Sequence, residues 1–203
     1  MSYASLYKVP KEGSLSTFRQ FRNAWGGAYL IWTEMCVKYL GLTGVPMSFG
    51  GGEDHPLKKL WSLASDPKVD RTDRIVLALT FDRVLIAKKD MLEAAQCLEE
   101  FNMKYPPHTK SVNHLPAFAA ALRDLYADPE AEAAAWLHTS CSGSIWYVKT
   151  NPDDEESDEG RMFDLSKDQE VFKSWFLFDE PEIVGQAENK IIQTSKEKFL
   201  NGF

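Results

Sequence analysis

The chain has 203 residues, 44% of them hydrophobic and 12% aromatic, and a net charge of −7. That composition excludes a disordered chain and is enough to bury the core of one domain, while no stretch approaches the eighteen or so apolar residues that a membrane-spanning helix needs. Six carboxylates stand within the seven residues 153–159, so the rest of the chain sums to only −1 and carries no basic stripe that would read as a nucleic-acid surface.

The opening residues MSYASLYKVPKEG lack the apolar core of a secretory leader, and Leu6–Val9 within them reads as a strand. Next, Phe18, Phe21, Trp25, Ala28, Trp32, Met35 and Tyr39 recur at spacings of three and four. That spacing predicts one long helix over 15–40, capped by Ser14 or Ser16 and ended by Gly41 in a left-handed conformation. The segment GLTGVPMSFGGGEDHP, residues 41–56, is a Gly-rich loop. Its three consecutive glycines lead into Glu53, Asp54 and His55, without the lysine and hydroxyl of a phosphate-cradling loop. Asp54 could orient His55 as a binding pair, but both also suit the start of a short helix at Pro56 that carries Leu57, Leu60, Trp61 and Leu63.

Residues 72–82 read as a buried helix and Val84–Ala87 as a short strand. Asp90 and Glu93 make a D-x-x-E capping pattern before a helix whose inner stripe is Met91, Ala94, Leu98, Phe101 and Tyr105. Pro106-Pro107 ends it, and Asn113 opens another helix with Leu115, Phe118, Leu122 and Leu125 on its core face. His108 and His114 stand six apart, which does not align two imidazoles on one helical face for a metal. Asp128-Pro129-Glu130 signals a helix start, and the Ala-rich stretch to Leu137 reads as a brief helical turn followed by a strand.

Residues 138–146, HTSCSGSIW, gather a histidine, four hydroxyls and a thiol. His138, Ser140 and Cys141 are the candidate catalytic residues, because a thiol or hydroxyl nucleophile needs an imidazole within hydrogen-bond reach. The G-x-S-x-G elbow is absent, however, and nothing nearby would orient the ring. Cys141-Ser142-Gly143-Ser144 suits a hairpin turn between two strands, the second being Ile145–Val148 with Trp146 as a candidate binding residue. The acidic run that follows, Asp153, Asp154, Glu155, Glu156, Asp158 and Glu159, reads as a flexible loop over 151–161 and as a candidate binding element. It fails as a calcium loop: with Gly160 at the sixth place, Ser166 falls where the bidentate carboxylate belongs. A further strand over Val171–Phe178 and a helix from Pro181 complete the chain.

These elements predict an α+β fold, a helix-dominated single domain over 1–203 with a small antiparallel sheet. Three scattered cysteines, none in a CxxC pair, point to a reducing, cytoplasmic setting with no metal and no cofactor. The expected function is non-enzymatic: recognition of a protein partner as a regulator or inhibitor, with no direct nucleic-acid binding and no membrane association. Two alternatives remain: a small hydrolase or transferase working through residues 138–144, and an acidic mimic that inhibits a nucleic-acid-binding protein.

Overall fold

A computed structural model describes residues 3–22, 25–45, 56–80, 84–106, 114–137, 147–149, 160–162, 164 and 166–167. Within them the chain is α+β, as its composition and periodicities indicate. Strands β1 (Tyr3–Pro10) and β2 (Ser16–Arg22) are followed by helices α1 (Trp25–Leu40), α2 (Pro56–Ser62) and α3 (Arg71–Ala78). Then come β3 (Val84–Ala87), α4 (Met91–Lys104), α5 (Leu115–Ala127), β4 (Ala131–Leu137), β5 (Tyr147–Lys149) and β6 (Gly160–Met162).

The main sheet has the order β2-β1-β4-β3, antiparallel throughout. Register explains which side chains meet the helices. Leu6 lies opposite Trp136, which lies opposite Val84 on its other side, and Ala4 lies opposite Phe21. All five belong to the hydrophobic core shared with the helices. The neighbouring row, Tyr7, Ala135 and Leu85, faces the other way because side chains alternate along a strand, and it too is buried.

Burial on both faces accounts for the composition of β4. A strand covered on both sides loses the apolar–polar alternation, and Ala133, Ala134 and Ala135 are all buried. Alanine is also the best helix former, which is why the sequence reads as a helical turn there. The expected helical start at Asp128 is instead the turn between α5 and β4: Asp128 Oδ1 accepts from the Glu130 amide at 2.9 Å, and the Asp128 carbonyl accepts from the Ala131 amide at 3.3 Å. Lys8 on β1 closes this corner by pairing with Asp128 at 3.2 Å and Glu130 at 2.8 Å.

The helix expected over 15–40 divides in two. Residues 16–22 form β2, Ser14 bridges to Asp164, and the helix begins only at Trp25. Phe18 and Phe21 are three apart yet pack on the same core, because a bulge beside Leu6 and Tyr7 leaves Phe18 as an extra residue and breaks the two-residue alternation. A bulged strand thereby acquires the spacing of a helical stripe. The end of the helix is as expected: Gly41 takes a φ of +66°, and the Leu42 amide donates to the Cys36 carbonyl at 3.1 Å.

α4 packs against α3 and α5, and α3 against α1, over the helix-facing side of the sheet. Its start departs from the expected capping box: the Asp90 side chain makes no capping bond, and Glu93 pairs with Arg71 on α3. α4 and α5 are joined by the two-pronged pair of Arg123 with Glu99, at 2.6 and 3.2 Å. At the core centre Trp32 meets Trp61 edge-on with ring centroids 5.3 Å apart, and its indole nitrogen donates to Thr80 Oγ1 at 2.8 Å.

β5 pairs not with the main sheet but with β6, a strand the sequence pattern does not announce. β4 already has β1 and β3 as neighbours, and residues 138–146, where the turn at Cys141–Ser144 is expected, lie outside the described residues. Lys149 lies opposite Gly160, so residues 150–159, which hold the acidic run, connect β5 to β6.

Candidate functional site

The densest polar arrangement among the described residues is built from three helix ends. Lys38 and Tyr39 stand in the last turn of α1, and Lys104 and Tyr105 stand at the end of α4. Both doublets converge on Asp70 and Asp73 at the start of α3. The placement follows helix electrostatics: carboxylates are favoured at the positive amino end of a helix and ammonium groups at the negative carboxy end.

Asp73 is fully buried. Its Oδ2 accepts from Tyr39 Oη at 2.7 Å and from Lys38 Nζ at 2.9 Å, with Lys104 Nζ and Tyr105 Oη both at 3.5 Å. Its Oδ1 is buried and has no hydrogen-bond partner among the described residues. Asp70, more exposed, receives Lys38 at 2.6 Å and Lys104 at 2.9 Å on a single oxygen. Tyr39 Oη, while donating to Asp73, accepts from the Asp70 amide at 3.2 Å. Each ammonium also lies over the ring of its own neighbour, Lys38 at 4.6 Å from the Tyr39 centroid and Lys104 at 5.2 Å from that of Tyr105.

The proton affinities move accordingly. Lys38 and then Lys104 hold the Asp70 carboxyl down at about 2. Desolvation opposes the charge on Lys38, but its bonds to Asp70 and Asp73 outweigh that and raise its affinity. Lys104 is raised against its own desolvation by Asp70, and burial raises Tyr39. A general acid or base works best with its pKa near the ambient pH, and these shifts lead away from neutrality. Chemically the cluster ties α1, α3 and α4 together.

Two further features lie near the core. His114, at the amino end of α5, stacks on Phe118 with centroids 5.7 Å apart and meets Phe21 at 6.4 Å. A small cavity is lined by Ile31, Ile86, Phe118, Trp136 and the engaged Thr80, and its space of about 10 Å³ is that of one water-sized sphere. No group of three or more His, Cys, Asp or Glu among the described residues could hold a metal ion. No described helix is long and apolar enough to cross a membrane.

The residues singled out by sequence, Asp54, His55, His138, Ser140, Cys141, Trp146, Asp153, Asp154, Glu155, Glu156, Asp158 and Glu159, lie outside the described residues. What the structure supplies is their anchorage. Asp54 and His55 directly precede α2, residues 138–146 run from the end of β4 to the start of β5, and the acidic run joins β5 to β6. The Lys–Tyr–Asp cluster escaped the sequence reading. Its legible trace was the Lys-Tyr doublet, repeated at 38–39 and 104–105 at the ends of two predicted apolar stripes, with D-x-x-D at 70–73 before a third. Compared with protein-family models, curated proteins and solved structures, the chain matches none.

Proposed function

We propose that this protein acts in the cytoplasm by binding a protein partner, as a regulator or inhibitor, and not by catalysis. The observation that carries the reading is the pairing of Lys149 with Gly160, which brings together the two ends of a segment holding six carboxylates. Charge of one sign confined between paired strands repels itself and attracts a basic surface, which favours encounter with a partner of opposite potential. Lys38, Lys104, Tyr39 and Asp70 support the non-catalytic side, because their shifts lead away from the range in which protons are exchanged at neutral pH. Cys36 and Cys97, both buried thiols, suit a reducing compartment.

The test compares the full chain with a variant in which Asp153, Asp154 and Asp158 become Asn and Glu155, Glu156 and Glu159 become Gln. Both are used for capture from native lysate at low and high salt, with thermal melts to establish folding. A stoichiometric basic protein retained by the first, released by salt and lost from the folded variant, supports the proposal. Equal retention by both removes the acidic hairpin from the interaction. Competition by added duplex DNA marks the partner as a nucleic-acid-binding protein whose site the hairpin occupies. A folded Cys141→Ala or His138→Ala variant that loses function while still capturing the partner returns the assignment to the hydrolase or transferase reading.

A further inference from the structure

We draw no further inference here: the strongest candidate, the buried Asp73 Oδ1 where the ends of α1, α3 and α4 meet, belongs to the site already described, and nothing around it shows which ligand it would take.

Discussion

Lys38 Nζ donates to Asp73 Oδ2 at 2.9 Å, joining the last turn of α1 to the first turn of α3 through a carboxylate with no exposure to solvent. The lysine side chain keeps one third of its surface exposed, so the pair is half wet: the ammonium can reach water and the carboxylate cannot. Loss of the lysine therefore leaves a buried carboxylate with Tyr39 and only the longer contacts of Lys104 and Tyr105, whereas loss of the carboxylate leaves a cation that can turn outward.

That asymmetry orders the variants. Lys38→Met should destabilise the fold by about 3 kcal/mol, the low end of the cost of breaking a buried pair, because Tyr39 and Lys104 still reach the carboxylate. Asp73→Asn should cost less, about 1–3 kcal/mol, as the loss of hydrogen bonds to a charged acceptor. Urea unfolding of both variants checks the order. An Asp73→Asn protein less stable than Lys38→Met would mean that the carboxylate organises more of the junction than its bonds to Lys38 and Tyr39.

Acid should loosen the same junction. The Asp70 carboxyl lies at about 2 in the folded protein against an ordinary 3.8. A depressed carboxylate contributes stability that is present above its unfolded pKa and lost as pH falls through the folded one. The window is therefore about pH 4 down to 2, and Asp70→Asn should flatten the stability profile across it. Because Asp70 is exposed, added salt should shrink the difference. Unfolding curves between pH 5 and 2 at two ionic strengths are the measurement, and an unchanged slope in Asp70→Asn would remove Asp70 from the account.

Trp32 and Thr80 should behave as a unit. Thr80 Oγ1 accepts from the Trp32 indole at 2.8 Å and donates to the Leu77 carbonyl at 2.6 Å, so it passes one buried polar link to the next. Thr80→Val keeps the shape and removes both bonds, at about 1–3 kcal/mol. Trp32→Phe should cost more, since it also loses packing against Trp61. In a double-mutant cycle the two changes should fall short of additivity.

Gly41 offers a test of backbone geometry without crowding. A Cβ placed there would meet nothing within 4 Å, so any penalty comes from the φ of +66° alone. Gly41→Ala should cost about 1 kcal/mol, and Gly41→Asn less, since asparagine tolerates the left-handed region. Thermal melts of the two should separate them in that order; equal melting temperatures would show that the helix end relaxes into another conformation.

The thiols of Cys36 and Cys97 are pushed up to about 11 by burial. Since the thiolate is the reactive form, both should be alkylated in the native protein at pH 8 more than about tenfold slower than in denaturant. Peptide mapping after timed iodoacetamide treatment reads each site separately. Rapid native labelling of either would mean that its helix opens locally.

Much of the helical layer was legible in advance. α2, α4 and α5 have apolar residues at spacings of three and four on one covered face, and proline or glycine at an end, so local propensity and tertiary burial agree. β1 and β3 were legible for the same reason. Disagreement begins at β2, whose bulge at Phe18 gives a helical spacing, and at β4, whose alanines favour a helix.

The sequence by itself determined the α+β class, the apolar helical faces and the left-handed stop at Gly41, because each depends on neighbours a few positions away. Only the tertiary structure decided that 131–137 is a central strand, that the acidic run closes the β5–β6 hairpin, and that two Lys-Tyr doublets meet one buried aspartate. The central strand and the buried aspartate depend on partners far along the chain, such as Lys104 for Asp73, 31 positions away, and Glu130 for Lys8 at the β4 corner, 122 away. Periodicity records which face of an element is covered; it does not record what covers it, and the energy of a buried ion pair or of a strand with two neighbours exists only once both partners are in place.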